Sequence, residues 1–456
     1  MIVIDVRKRS LLATNQRKKK DINPKWILVI AIAVLFIRNI PLCFLMPIWS
    51  FGDEMGHLDY VLKLSRGHLP KPTELMESKL YLFFRAQTES RRPPQERSLS
   101  LRNIKDLPLF GHSYEAHQPP LPYFLMSLGQ RSLNYLNFSL LWQVRLLRMM
   151  SCLIIAAGLA LLYMSIQRMN LPLWYYFPLL FIALLAQDMF FVINTDVFSF
   201  LFGSLALIGA MSLIKDTRPV KYWFCLSLGI GLAMWSKAIN IYLFLLWPFV
   251  AFSSFRKENK SRIFRKSAAW ALLTIVLSAG WYLCNFFRFG HPFWNGTLPF
   301  PSYPHQGFNI SSFKLFAAGF LKTLFRGELY WQGKYFDVLP GWTNDLTLIL
   351  IPGFIFILGS LHLFKTGKNS EDREKLLLGF FCGLVFMAFF GAFVFVRGIP
   401  YYHARFALAS LYSFGFLYFY GWKALFRGRR AWFLMPVFFL IAYNVLNTTR
   451  IISQVR

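Results

Sequence analysis

Eleven apolar runs of 17–21 residues decide what this chain can fold into. They lie near 26–46, 146–166, 172–189, 195–214, 220–236, 238–254, 267–287, 345–365, 376–396, 403–422 and 430–447. A helix needs roughly 20 apolar residues to cross about 30 Å of hydrocarbon, so the runs have the length of membrane spans. A twelfth run, 120–137, is weaker: it begins at Pro119-Pro120 and carries Arg131. Composition agrees. Of 456 residues, 56% are hydrophobic and 16% charged, and fifty are Phe. That excludes both a soluble globular enzyme and a disordered chain. The expected fold is all-α, a polytopic membrane protein with about 11–12 transmembrane helices. Gly203, Gly229, Gly231 and Gly383 mark places where such helices can approach closely.

The charge sets an orientation. A net charge of +29 would suggest nucleic acid in a soluble chain. Here eight Lys/Arg lie in 1–25, six in 256–266, four each in 365–375 and 423–430, and three in 215–221. These five segments hold half of the fifty basic residues. Basic loops stay cytoplasmic, so the excess charge points to topology and not to a nucleic-acid partner. The N-terminus is then cytoplasmic, and 47–119, 288–344 and 397–402 face outward. An odd number of spans must separate an outer residue 47 from an inner residue 256, so 120–137 is expected not to cross. That choice leaves Arg145 and Arg148 near the outer face, against the charge rule. The first run has no small-residue cleavage site after it and is expected to remain as an anchor. The five cysteines (Cys43, Cys152, Cys225, Cys284 and Cys382) lie in apolar runs without regular spacing and read as buried apolar residues. Four parts follow: a basic N-terminus 1–25, a catalytic transmembrane module 26–287 that includes the loop 47–119, a second outer loop 288–344, and C-terminal helices 345–456.

The polar chemistry is concentrated. The loop 47–119 holds nine of the 21 carboxylates and four of the eight histidines. It is too long for a simple connector, and its stretch from Asp53 to Leu64 suits a short helix lying on the membrane face. Helical spacing brings Asp53 and Glu54 near His57, an arrangement suited to general-base or metal-ligand chemistry. The plainer alternative is a solvated helix N-terminus. A second cluster, Tyr114-Glu115-Ala116-His117-Gln118-Pro119-Pro120-Leu121, fixes His117 and Gln118 before a Pro-initiated helix. Asn194-Thr195-Asp196, Lys237, Arg288 and Arg405 interrupt apolar sequence, where charge is costly and functional by default. The alternatives are an N-cap for Asp196 and snorkelling for Lys237 and Arg288. Carboxylates opposite several cations at span ends suit a lipid-linked phosphate. There is no Walker A motif or dinucleotide glycine fingerprint.

These residues resemble a family. An acidic pair after the first span, a long outer loop and then His117-Gln118-Pro119-Pro120-Leu121 look like the GT-C superfamily of polytopic glycosyltransferases. That group includes the dolichyl-phosphate-mannose protein mannosyltransferases and the bacterial aminoarabinose transferases. Asp53-Glu54…His57…Tyr60…Gly67…Leu69-Pro70, Asn194-Thr195-Asp196 and Lys237 follow in the same order. Trp281-Tyr282-Leu283-x-Asn285 and Arg288-x-Gly290-x-Pro292 are similar to a related set of bacterial membrane proteins. The resemblance covers most of 25–425. It implies a GT-C-like fold and inverting transfer from a polyprenyl-phosphate-linked sugar to a glycan, lipid or protein acceptor on the non-cytoplasmic face. It implies Asp53 as general base, with Glu54, His57, His117 and Asp196 in the catalytic group. Lys237 would hold the lipid phosphate, and Gln118, Tyr282, Asn285, Arg288, His403 and Arg405 would contact substrate. Some relatives use a divalent metal (Mg or Mn); here Asp53, Glu54 and His117 would be its ligands. Tyr402-His403-Ala404-Arg405 departs from the more usual Gly-Arg-Tyr run, and no large soluble domain follows the last span. Two other functions stay open. A polysaccharide ligase or polymerase with a lipid-diphosphate donor would use the late loop's His291, His305, Glu328 and Asp337. A transporter or flippase would be expected to show inverted repeats.

Overall fold

The computed structural model describes residues 23–46, 53–80, 82, 112–185, 188–255, 259–292, 307–326, 330–331, 334–335, 345–366, 373–395, 403–426 and 434–455. The basic N-terminal residues before 23, the polar run 85–106, His305, Glu328, Asp337 and Tyr402 lie outside them. Among the described residues the fold is helical apart from one short antiparallel ladder, in which Tyr330 pairs with Tyr335 and Trp331 with Lys334, and an isolated bridge between Leu75 and His112.

In chain order the helices are α1 (Pro24–Leu45), α2 (Glu54–Ser65), α3 (Leu121–Tyr135), α4 (Leu140–Arg168), α5 (Phe177–Leu184), α6 (Asp196–Lys215), α7 (Val220–Met234) and α8 (Leu246–Ser254). They continue with α9 (Lys260–Phe289), α10 (Ile310–Arg326), α11 (Ile351–Thr366, after a π turn at Leu346–Leu350), α12 (Arg373–Phe395), α13 (Leu411–Leu425) and α14 (Leu434–Val455). Among the described residues, α1, α4, α6, α9, α11 with its π turn, and α12 are long and apolar enough to cross a membrane. Large apolar side chains stand exposed along them, among them Ile37, Leu153, Phe287 and Phe364. Such a surface suits a lipid bilayer environment.

Close packing rests on small residues at several crossings. A Cβ on Gly209 would meet the Leu226 backbone nitrogen at 2.5 Å, and one on Gly229 would meet the Ala206 nitrogen at 2.3 Å, so α6 and α7 are nearly in backbone contact. Gly203 does the same for the 3-10 segment Ala404–Ser410, where an added Cβ would run into the Ala409 backbone. A Cβ on Gly231 would lie 3.1 Å from Leu277 Cβ, a close approach of α7 to α9, whereas Gly383 has nothing within 4 Å among the described residues, so three of the four marked glycines sit at close approaches. The phenylalanines build the other main contact: Phe316, Phe320, Phe386, Phe390 and Phe414 interlock between α10, α12 and α13, with ring centroids 5.0–5.5 Å apart.

Among the described residues, three apolar runs break into 3-10 or irregular backbone. Among the described residues of 172–189, the α-helix covers only α5, after a 3-10 turn at Leu173–Tyr175, and the 3-10 turn Asp188–Phe190 leads into irregular backbone whose described side chains, 189–195, are buried. Unpaired backbone polar groups cost roughly 2–7 kcal/mol when buried in an apolar medium. Side chains of neighbouring helices satisfy these. Asn444 of α14 donates to the Leu184 carbonyl at 2.8 Å, and Arg38 of α1 donates to that of Leu185 at 3.4 Å. Cys152 and Ser151 of α4 donate to the carbonyls of Phe190 and Val192 at 3.1 and 2.8 Å. Arg38, Asn444, Ser151 and Cys152 therefore satisfy backbone that a continuous helix would have satisfied alone. The other two exceptions, 238–254 and 403–422, begin as 3-10 segments (Ala238–Leu245 and Ala404–Ser410) before α8 and α13.

The weak run 120–137 forms α3, which packs along α2. Tyr123 stacks on Tyr60 with centroids 4.0 Å apart, and Arg131 donates to the Ser65 and Leu64 carbonyls at 2.9 and 3.2 Å. Arg131 thus satisfies the C-terminal carbonyls of α2. Past α2 the loop is pinned by Lys63, which is buried and bonded to Ser113 and the Leu75 carbonyl, both at 2.6 Å, and paired with Glu74 at 3.0 Å.

Candidate functional site

Five segments meet at one end of the helices: the start of α2, the 3-10 turn Tyr114–His117, the start of α6, the α7–α8 corner, and the start of the 404–410 segment. Gly56 makes the first junction possible, because a Cβ there would lie 2.5 Å from the Tyr114 ring and 2.8 Å from Glu115 Cγ.

Two ion pairs form the centre. Arg405 Nη1 lies 3.1 Å from Asp53 Oδ2, and Lys237 Nζ lies 2.6 Å from Asp196 Oδ1. Both cations approach one aromatic ring: Lys237 Nζ and Arg405 Cζ are each 5.0 Å from the Phe406 centroid. The side chain of Asp53 keeps 38% exposure, Arg405 18% and Lys237 14%, so the cluster can be reached from solvent. Neither aspartate caps its helix. Asn194 Oδ1 accepts from the Asp196 and Val197 amides at 2.7 and 3.2 Å, which leaves the Asp196 carboxylate to Lys237. Lys237 is held in this pair and does not extend along the surface.

The neighbouring polar groups are neutral or nearly so. Burial alone would raise the Asp53 carboxyl, but Arg405 and the surrounding positive charge outweigh it and hold it below the ordinary carboxylate range. Burial lowers the imidazoles of His57 and His117, to about 3 and about 4, so both are uncharged at pH 7. His57 Nδ1 shares a 2.8 Å hydrogen bond with the Tyr123 hydroxyl. His117 Nδ1 donates to the Tyr114 carbonyl at 2.7 Å, which places the basic lone pair on Nε2. Glu115 is 5% exposed, and burial together with the Asp53 carboxylate raises it to about 8. Gln118 donates to Glu115, and the Thr195 hydroxyl donates to Gln118 Oε1 at 3.4 Å.

Helix α9 supports this end from one side. Trp281 Nε1 and Asn285 Nδ2 both donate to the His117 carbonyl, at 3.2 and 3.0 Å. Tyr282 donates to the Met234 carbonyl at 2.6 Å, two residues before the Ser236-Lys237 corner. Arg288 donates to the Pro70 carbonyl at 3.3 Å and lies over the Trp281 and Phe289 rings. His403 directly precedes the 404–410 segment, with its ring 6.2 Å from that of Phe406. Asn285, Tyr282 and Arg288 therefore position backbone around the cluster.

Glu54 stands apart from Asp53. It is fully buried in a bidentate pair with Arg148 of α4, at 2.7 and 2.6 Å, and accepts from the Ile193 amide at 3.2 Å. Successive helical residues point about 100° apart, so Asp53 faces the cluster and Glu54 faces the helices. Arg148 also donates to the Met46 carbonyl at 2.9 Å. This pairing accounts for a buried arginine at the same end of the helices as the cluster. The set Asp53, Glu54 and His117 is accordingly not gathered as metal ligands, and among the described residues no group of three or more His, Cys, Asp or Glu side chains could hold a metal ion. Glu115 and Arg148 are the residues that sequence reasoning passed over. The first stood two places from His117, and the second was signalled by its misplaced charge. No family model matches the chain, and no curated protein matches it.

Proposed function

We propose that the chain is a GT-C-like glycosyltransferase with eleven or twelve spans, which transfers a sugar from polyprenyl phosphate to a hydroxyl-bearing acceptor on the non-cytoplasmic face. The observation that supports this best is the gathering of two solvent-reachable cations, Lys237 paired with Asp196 and Arg405 paired with Asp53, over one aromatic ring. Lys237 and Arg405 suit a lipid-linked phosphate, and the apolar flanks suit its polyprenyl chain. In this reading the phosphate draws Arg405 away from Asp53, and the freed carboxylate regains basicity. The acceptor oxygen then attacks the anomeric carbon. The bond from that carbon to the phosphate oxygen breaks, the hydroxyl proton passes to Asp53, and polyprenyl phosphate leaves. Asp196 keeps Lys237 in place, and His117 and Gln118 line the acceptor side.

Purified protein supplied with a radiolabelled polyprenyl-phosphate sugar tests the reading. Asp53→Asn is expected to transfer or hydrolyse the sugar about 10²- to 10⁴-fold more slowly than wild type, the usual loss for a general base. Equal rates would remove Asp53 from the chemistry, and failure of wild type to bind any lipid-linked sugar would remove the reading as a whole.

A further inference from the structure

The cations of the central cluster each face a carboxylate, Lys237 that of Asp196 and Arg405 that of Asp53. Arg288, in the last turn of α9, is bound differently. Its Nη2 donates to the Pro70 carbonyl at 3.3 Å, and its Cζ lies 5.7 and 4.7 Å from the Trp281 and Phe289 ring centroids. Its Nη1 is shut off from water and meets no hydrogen-bond partner among the described residues. The last turn of a helix favours a cation, and a surface arginine there would keep its guanidinium in water. This one folds inward over an indole and buries an N–H group that then carries the full desolvation penalty.

One turn earlier, Asn285 has the complementary gap. It is 1% exposed, and its amide nitrogen donates to the His117 and Pro292 carbonyls at 3.0 and 3.4 Å. Two carbonyl partners fix which end of the amide is nitrogen. The oxygen is left as a buried acceptor, and it meets no donor among the described residues. Three residues apart on α9, Asn285 and Arg288 share a face. Tyr60 of α2 adjoins them. Its hydroxyl donates to the Gln118 carbonyl at 3.4 Å, and burial raises its phenol while the Arg288 charge opposes the rise. Leu69, Gly290 and His291, next to Pro70 and Arg288, are exposed, so this face borders solvent.

A buried charged donor beside a buried acceptor calls for one ligand that accepts from the first and donates to the second. A sugar with an oxyanion and a ring hydroxyl does both. We propose that Arg288 and Asn285, with Tyr60 beside them, bind a carboxylate- or phosphate-bearing sugar of the acceptor, Arg288 Nη1 donating to the oxyanion and Asn285 Oδ1 accepting from a hydroxyl. The assignment to the acceptor rests on the sugar-transfer reading, in which His117 and Gln118 line the acceptor side. Their carbonyls are the ones that Asn285 and Tyr60 hold. The acceptor is then an acidic glycan and not a neutral one.

Equilibrium dialysis of the purified full-length protein with radiolabelled methyl glucuronide, glucose 6-phosphate, methyl glucoside or acetate tests this without any sugar donor. Wild type is expected to bind one of the two anionic sugars about tenfold more tightly than methyl glucoside, the effect of one charge-assisted hydrogen bond. It should also bind that sugar more tightly than acetate, which has no hydroxyl. Arg288→Gln should bring anionic and neutral sugars to parity, and Arg288→Lys should keep part of the difference. Arg66→Gln removes an exposed charge after the end of α2 and should leave the difference intact. Equal affinities for the three sugars in wild type, an unchanged difference in Arg288→Gln, or an equal loss in Arg66→Gln would each overturn the site. Acetate bound as tightly as the anionic sugar would remove Asn285 from it. Displacement of the sugar by phosphatidylglycerol but not by phosphatidylcholine would give Arg288 to a lipid headgroup and overturn the acceptor assignment. A protein that binds the anionic sugar but no lipid-linked sugar would sink the transferase reading and leave the anion site standing.

Discussion

At the scale of single residues, adjacent carboxylates have opposite tasks. Asp53 is partly exposed and faces Arg405, whereas Glu54 is buried against Arg148. Removing one partner of a buried ion pair strands the other charge and typically costs 3–5 kcal/mol. Glu54→Gln is therefore expected to lower stability by about that amount, and Glu54→Gln/Arg148→Met should recover much of it. Thermal unfolding in detergent measures both, and a single variant that melts like wild type would show the pair to be dispensable. Lys237 belongs at this scale too. Losing one charge-assisted hydrogen bond is worth about 1.5–3 kcal/mol, so Lys237→Ala should weaken binding of a polyprenyl phosphate by about 10- to 100-fold. Unchanged affinity in a binding titration would separate Lys237 from the donor.

At the scale of elements, the candidate cluster is assembled where helices are imperfect. Asp196 follows the irregular crossing 188–195, Lys237 precedes the 3-10 segment 238–245, and Arg405 lies in the 3-10 segment 404–410. Tight 3-10 winding often marks such functional positions. The 404–410 segment reaches Asp53 only because Gly203 admits its backbone against α6. Gly203→Ala puts a methyl group into that contact and is expected to cost about 1–3 kcal/mol and to weaken donor binding by shifting Arg405. Gly383→Ala, in open space, should stay within about 0.5 kcal/mol of wild type. Equal unfolding midpoints for the two variants would contradict the close approach.

At the scale of the whole molecule, buried titratable groups link stability to pH. The folded chain holds His57 and His117 near 3 and 4, below the ordinary imidazole value of 6.5, so the unfolded state takes up more protons in between. Stability is therefore lost as pH falls below about 6.5. Glu115 has the opposite sign. Its folded value of about 8 lies above the ordinary 4.5, so the folded state holds the extra proton and stability is lost as pH rises toward 8. Unfolding midpoints measured from pH 5 to 8.5 should peak near neutrality. Glu115→Gln should flatten the slope between pH 6.5 and 8, and an unchanged slope would place the linkage elsewhere.

Much of the architecture was legible in the chain because hydropathy is local. Long apolar runs mark helices wherever they occur, and the polar interruptions at Asp53, His117, Asp196 and Lys237 stood out against them. Local pattern also anticipated that 120–137 would differ, since its prolines and Arg131 lie within the run itself. The sequence by itself thus determined a helical chain of membrane class and the segments in which its polar side chains gather. Only the tertiary structure decided the partners. Glu54 and Arg148 are 94 residues apart, and Asp53 and Arg405 are 352 apart. No local spacing distinguishes Asp53 from Glu54 across such distances. Which carboxylate stays reachable and which becomes a structural anchor depends on which helix packs against each face. The irregular backbone at 188–195 follows the same rule, because side chains of α4 satisfy carbonyls there that a continuous helix would have satisfied alone.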